Sequence, residues 1–98
     1  MATTKEFCEY VLDCLPAGMT AKRMMGEYCL YYHGTLVGLL CDNTLLVKRT
    51  PTSDLLLACC TLQYPYEGSK TLMYAVEDFE NREMMQQLFE GLFFELQK

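Results

Sequence analysis

The stretch from Arg23 to Arg49, RMMGEYCLYYHGTLVGLLCDNTLLVKR, decides the fold. Runs of aromatic and aliphatic residues are interrupted there by the turn pairs His33-Gly34 and Asp42-Asn43. Two-residue connections of this kind favour tight hairpins, because their backbone requires positive φ. The stretch therefore predicts three successive antiparallel strands, which are Arg23–Tyr32, Thr35–Cys41 and Thr44–Arg49.

Side-chain alternation along the first predicted strand separates its two faces. The parity that we assign to the core holds four apolar or aromatic residues, which are Met24, Tyr28, Leu30 and Tyr32. The opposite parity holds Arg23, Glu27 and His33. The second predicted strand is apolar on both faces, which is typical of a middle strand in a covered sheet.

Helices are predicted on both sides of these strands. Apolar residues at helical spacing predict an amphipathic helix over Thr4–Leu15 and a longer one over Asn81–Gln97. Thr50-Pro51 opens a short helix that ends near the two adjacent cysteines, and a further hairpin pairs Leu62–Tyr66 with Lys70–Val76. The order α-β-β-β-α-β-β-α, with the terminal helices packed on an antiparallel sheet, belongs to the α+β class.

Composition limits the class of protein. Hydrophobic residues make up 51% and charged residues 21% of the chain, which is typical of a globular domain rather than a disordered one. We expect residues 1–98 to form one domain. No apolar run approaches the roughly 20 residues that cross a membrane, and the first residues lack a signal-peptide layout. We therefore expect a cytoplasmic location.

The charge distribution disfavours direct binding to nucleic acid. The net charge is −5, and the two ends of the chain hold most of the acidic residues. Backbone-driven DNA binding requires Lys and Arg to neutralise phosphates. Four basic residues in the middle of the chain leave this open as a weaker hypothesis, and they are Lys22, Arg23, Lys48 and Arg49.

The residues that carry chemistry form no recognisable catalytic or metal-binding pattern. The six cysteines lie in hydrophobic segments without a C-x-x-C pair, so we expect reduced thiols. His33 is the only histidine and lies in a predicted turn, where an exposed loop residue is expected rather than a catalytic base. Glu77-Asp78 precede a helix, where carboxylates favour the helix dipole. The sequence predicts no catalytic residue, no metal ligand and no cofactor.

Several residues and segments together resemble a known family. They are Arg23–Tyr31, Gly34, Leu45–Lys48, Pro65–Lys70, Met73 and Glu77–Glu83. Their order is similar to the signature of the N-terminal domain of the TfoX/Sxy family, and the downstream segments resemble its short stand-alone members. Met25 stands where that signature usually has Phe. The resemblance covers nearly the whole chain and implies an α+β fold.

The resemblance also implies a role. The family is associated with the regulation of competence genes, and its longer members carry a second, helical domain and act with the cyclic-AMP receptor protein at promoters. We therefore expect a non-enzymatic interaction module, linked to transcriptional regulation of competence-type genes through protein–protein contacts. The alternative is a small-molecule-binding protein or an unrecognised enzyme, with a pocket between the sheet and the C-terminal helix.

Two places are predicted to contact a partner. Tyr beside Arg is typical of interface centres, so Arg23, Glu27 and Tyr31 on one strand face are the first candidate. Phe94 is the second, because it points away from the apolar stripe of the last helix. An exposed aromatic among charged residues favours a contact with another chain, most simply in a homodimer.

Overall fold

The computed structural model describes residues 3–65 and 68–96. Within them the element order is α-β-β-β-β-α-β-β-α, and the α+β class is confirmed. The helices are α1 (Lys5–Cys14), α2 (Pro51–Leu56) and α3 (Arg82–Leu96). The strands are β1 (Met19–Met24), β2 (Glu27–Tyr32), β3 (Thr35–Cys41), β4 (Thr44–Val47), β5 (Thr61–Gln63) and β6 (Met73–Val76).

The described strands form an antiparallel sheet in the order β1-β2-β3-β4-β6-β5. The predicted turns at His33-Gly34 and Asp42-Asn43 connect β2 to β3 and β3 to β4. The prediction of one strand over Arg23–Tyr32 is wrong, because a further turn at Met25-Gly26 folds this segment into the hairpin of β1 and β2. Met25 has φ 53°, a conformation that Met rarely adopts, so the residue types did not indicate a turn.

The extra hairpin changes which residues share a face. Arg23 is paired with Tyr28, and Met24 is paired with Glu27. Residues that are directly opposite in an antiparallel pair point to the same face, whereas successive residues alternate. Arg23 therefore lies on the face of Tyr28, and Met24 lies on the opposite face with Glu27 and Tyr31. The predicted common face of Arg23, Glu27 and Tyr31 is wrong, and so is the assignment of Met24 to the core.

The terminal helices cover one face of the sheet, which we call the inner face. α1 is capped by Thr4, whose hydroxyl accepts a hydrogen bond from the amide of Phe7. Asn81 accepts one from the amide of Met84 at the start of α3. The inner core combines the helix residues Val11, Met85, Leu88, Phe89 and Leu92 with the strand residues Leu30, Val37, Leu40, Leu45, Val47 and Val76.

The short helix α2 is fixed to α3. Thr50 caps this helix and shares a reciprocal capping box with Ser53. Thr52 donates to the Glu95 carboxylate from its hydroxyl at 2.6 Å and from its amide at 3.2 Å. Gly91 lies against Thr52, and a Cβ there would meet the Thr52 hydroxyl at 2.5 Å. The helix ends at Leu56 rather than near the cysteines, and a turn follows it.

The predicted final hairpin is confirmed with shorter strands. β5 pairs with β6 in the register Thr61↔Ala75, and β6 also pairs with β4. The predicted strand Leu62–Tyr66 is formed only in part, because β5 ends at Gln63. Tyr66 of the predicted strand and the following Glu67 lie outside the described residues. The described parts of the long connection between β5 and β6 contribute to the surface of the other face of the sheet, which we call the outer face.

Candidate functional site

Two adjoining cavities lie on the outer face of the sheet. The larger has a volume of about 820 Å³ and the smaller about 490 Å³. Leu39 of β3 and Pro65 of the β5–β6 connection line both, so the two cavities share a wall. No described residue of α3 lines either one. Neither cavity is therefore the pocket that the sequence predicted between the sheet and the C-terminal helix.

The smaller cavity is mainly apolar. Its walls come from the tip of the β1–β2 hairpin, from the adjacent part of β3 and from Pro65. The side chains at the tip are Met24, which is 48% exposed, and Met25, which is 97% exposed. Burial raises the pKa of the Cys41 thiol to about 11, and the nearby Glu27 carboxylate adds to the effect. Since the thiolate is the nucleophilic form, a thiol with a raised pKa is a weak nucleophile at neutral pH.

The larger cavity has a basic wall. Lys48 and Arg49 follow β4, and Lys70 lies in the β5–β6 connection. Asp54 is the carboxylate of this wall, and it accepts a hydrogen bond from the Tyr74 hydroxyl at 2.6 Å and contacts Arg49 at 3.4 Å. The hydrogen bond from Tyr74 and the Arg49 guanidinium hold the pKa of Asp54 below its ordinary value despite some desolvation. In residues 3–65 and 68–96, Lys48 and Lys70 form no ion pair.

Glu27 ties three segments together at the other end of the outer face. Its carboxylate accepts hydrogen bonds from the Thr3 amide at 2.9 Å, the Thr3 hydroxyl at 2.6 Å and the Asp42 amide at 3.2 Å. Thr3 is buried, and its hydroxyl also accepts from the amide of Asn43. Burial alone would raise the pKa of Glu27, but these hydrogen bonds outweigh it, and the pKa lies below its ordinary value. Glu27 thus has a structural role that the sequence did not indicate.

The four residues predicted to contact a partner do not form one patch. Glu27 and Tyr31 lie on the outer face, where both are half-buried, and Arg23 lies on the inner face at the edge strand β1. Phe94 is 72% exposed on α3, a helix that covers the inner face. The geometry predicted for Phe94 is confirmed, whereas its contact with another chain stays a prediction.

Sequence reasoning missed the residues that dominate the outer face. Met25 was predicted to lie within the strand Arg23–Tyr32, and Pro65 within the strand Leu62–Tyr66. Lys70 was predicted to begin the strand Lys70–Val76, but β6 begins at Met73 and Lys70 lies in the connection before it. The missed signal was the position of Met25-Gly26 directly before an aromatic run. His33-Gly34, which forms a turn, stands in the same way before an aliphatic run.

Other predicted features have these positions. His33 is exposed, and its ring packs against Tyr32 and Phe93. All six cysteines are free thiols, and Cys59 is exposed in the turn after α2. Among the described residues, no cluster of three or more potential ligand side chains could hold a metal ion. No described helix has the length and apolarity that crossing a bilayer requires.

The basic residues considered for DNA binding are divided between distant strands. Lys22 and Arg23 alternate onto opposite faces of the edge strand β1. Lys48 and Arg49 follow β4, and β2 and β3 lie between. With about 4.8 Å between neighbouring strands, the two pairs are roughly 14 Å apart across the sheet. They do not form one continuous basic stripe along a single face.

Comparison with known proteins gives two matches. The family model of the TfoX N-terminal domain matches residues 12–90. An uncharacterized 12.7 kDa protein in the trpE 5' region of Spirochaeta aurantia is 32% identical over 90 residues, which cover 90% of this chain and 78% of that protein. No solved structure matches the chain significantly.

Proposed function

Because the chain belongs to the TfoX N-terminal domain family, we propose that it is a non-enzymatic interaction module of one domain in the cytoplasm. In this proposal it takes part in regulating competence-type genes through protein–protein contacts. The family's association with competence regulation supports the regulatory part, and the family is not known for enzymatic activity. The observation that carries the interaction part is the tip of the β1–β2 hairpin.

Three turns of this protein have similar backbone geometry, so the residue type at the tip can be compared with the residue types at the other two turns. Their first central residues are Met25, His33 and Asp42, with φ values of 53°, 50° and 52°. Asn, Asp, His and Gly are the residues that tolerate this conformation best. Two of the three turns follow that preference, and the third places a large apolar side chain there with 97% of its surface exposed.

Met25 therefore has two unfavourable features at once. The left-handed conformation costs a residue such as Met about 1 kcal/mol, and its side chain buries almost nothing in return. Exposed methionines that can adapt their shape are frequent at binding surfaces. Met24 and the apolar cavity lie directly beside it. A contact with a partner protein would bury the exposed methionines at the hairpin tip and offset the unfavourable conformation of Met25.

The test replaces Met25 with Asn. Met25→Asn restores a favoured turn residue, so the free energy of unfolding should rise by about 0.5 to 1 kcal/mol. Asp42→Asn is the matched control, because it introduces the same residue at the same turn position and Asp42 does not itself line the apolar cavity. Proteins captured from native cytosol by the wild type and by both variants are compared by quantitative mass spectrometry.

We expect at least one protein that wild type and Asp42→Asn retain and Met25→Asn loses. In the source organism, Met25→Asn should reproduce the transcript changes of a deletion, including those of competence-type genes. A variant that is more stable and equally active in both assays would refute the role of the tip. Loss of stability would show instead that Met25 is a structural residue.

The second candidate function is the binding of a small molecule, with or without catalysis. The two cavities are the observation in its favour. The raised pKa of Cys41 argues against this thiol as a nucleophile in the apolar one. Saturation of the apolar cavity by a cellular metabolite, seen by native mass spectrometry of the purified protein, would favour this candidate over the interaction module.

A further inference from the structure

The two adjoining cavities of the outer face together make up one surface with unlike ends. Met24, Met25 and Cys29 line the apolar end. The Glu27 carboxylate also lines this end and accepts hydrogen bonds from Thr3 and the Asp42 amide. Lys48 and Lys70 line the basic end. Leu39 and Pro65 lie between the ends because they line both cavities. We call this surface the outer groove.

The length of the outer groove follows from the sheet. β1 and β4 are three strand intervals apart, which corresponds to roughly 14 Å. The amide of Lys48 donates to the carbonyl of Val37, so the basic end lies at about the level of Tyr31 and Thr20, four residues along β1 from Met24. The diagonal between the ends is therefore roughly 20 Å, and an extended segment of about six residues spans it.

The charge of the basic end contrasts with that of the whole chain. The net charge of the protein is −5, but three cationic side chains and one carboxylate line the larger cavity among the described residues. That carboxylate, Asp54, is already engaged by Arg49 and Tyr74. Among the described residues, Lys48 and Lys70 are therefore the cations of this wall without an ion-pair partner, and an anionic group complements them.

We propose that the outer groove binds an extended acidic segment of the partner protein. One or two apolar side chains of this segment enter the cavity beside Met24 and Met25, and its carboxylates lie against Lys48 and Lys70. The inference rests on the proposed interaction function and names the chemistry of the partner. Electrostatic complementarity then supplies specificity and a fast encounter, while the apolar end supplies the buried contact area.

The shape of the groove favours a peptide segment over a small molecule. Sites for small molecules bury most of the ligand surface in a concave cavity. The larger cavity of the outer groove is instead open to solvent, and the two ends differ in polarity over a distance that a small metabolite does not span. An extended chain contacts both ends at once and leaves its other side in water.

The experiment uses the full chain and a displayed library of random peptides of about eight residues. Peptides are selected on the wild type, on Lys48→Glu/Lys70→Glu and on Lys5→Glu/Arg82→Glu. The last variant makes the same charge change at exposed sites on the helices. Circular dichroism and denaturation confirm that each variant is folded. The wild type and the helix variant should enrich Asp and Glu about twofold or more, next to an apolar residue.

The groove variant should lose this enrichment and favour Lys and Arg instead. Individual selected peptides, measured by fluorescence anisotropy, should bind it at least tenfold more weakly than the wild type, and their affinity for the wild type should fall with added salt. Selection of neutral or basic peptides by the wild type, no selection, or equal effects of both double variants would overturn the inference. The proposed function would still stand if Met25→Asn alone loses the captured protein.

Discussion

The substitution Gly91→Ala has two opposite effects on stability, a gain in helix propensity and a steric cost at the contact between α2 and α3. In a helix interior Ala is favoured over Gly by about 1 kcal/mol, so propensity alone predicts a more stable protein. The structure places a Cβ at this position 2.5 Å from the Thr52 hydroxyl, 2.6 Å from its methyl group and 2.9 Å from its Cβ. Real Cβ atoms do not approach other atoms this closely, so one of the helices must shift or Thr52 must rotate.

Neither adjustment is free of cost. Rotation of Thr52 breaks the 2.6 Å hydrogen bond from its hydroxyl to Glu95, which contributes about 1 to 2 kcal/mol because the acceptor is charged and partly exposed. A shift of α2 loosens well-packed side chains, and overpacking of this kind costs about 1 to 3 kcal/mol. After the gain in propensity, Gly91→Ala should lower the free energy of unfolding by about 1 to 2 kcal/mol.

Urea denaturation of a double-mutant cycle measures this effect. Thr52→Ala removes the hydroxyl and the methyl group, so Gly91→Ala in that background should cost less than half of its cost in the wild type. Gln87→Ala, at an exposed position of α3, is the control for propensity and should change stability by less than about 0.5 kcal/mol. A Gly91→Ala protein more stable than the wild type would refute the reasoning about the helix contact.

Three further predictions concern other parts of the molecule. Leu92→Ala should lower the free energy of unfolding by about 2 to 5 kcal/mol, because Leu92 is fully buried. Phe94→Ala should change the stability of the monomer by less than about 0.5 kcal/mol and shift any dimer toward monomer. Chemical denaturation and sedimentation measure the two effects. The pKa of Glu27 is lower in the folded protein than in the unfolded chain, so its contribution to stability is present above about pH 4.3 and is lost as the pH falls through the folded value. Glu27→Gln should therefore lower stability at pH 7 and flatten the acid side of the profile, which denaturation between pH 7 and 3 tests. Random-sequence duplex DNA should not bind at physiological salt; micromolar, salt-sensitive binding in fluorescence anisotropy would contradict this.

The parts of the fold that follow from local patterns could be predicted. The α1 helix differs from the prediction by one residue at each end, since Thr4 and the apolar spacing are both local signals. The turns at His33-Gly34 and Asp42-Asn43 were found because their residue types tolerate positive φ. The turn at Met25-Gly26 was missed for the same physical reason, because Met does not favour that conformation.

The candidate site was harder to predict because it depends on distant segments. Glu27 binds Thr3 and Asp42, which are distant in the chain, and no local pattern indicates such a contact. The outer groove forms because Pro65 and Lys70 lie beside Leu39 of β3, and alternation along a strand carries no information about the path of a long connection. The missed hairpin also reversed the face of Arg23, because a shift of one residue exchanges the two faces of a strand.

The strand order has a consequence for how the chain folds. β1 to β4 pair in sequence through two-residue turns, so each pairing closes only a short loop. β4 pairs on its other side with β6, which comes after α2 and β5. Short loops close with little entropy cost and local contacts form early. We expect β1 to β4 to be paired already in the folding transition state, and β5 and β6 to pair with the sheet afterwards. In a φ-value analysis of the folding kinetics, the value should be high for Leu45 and low for Val76.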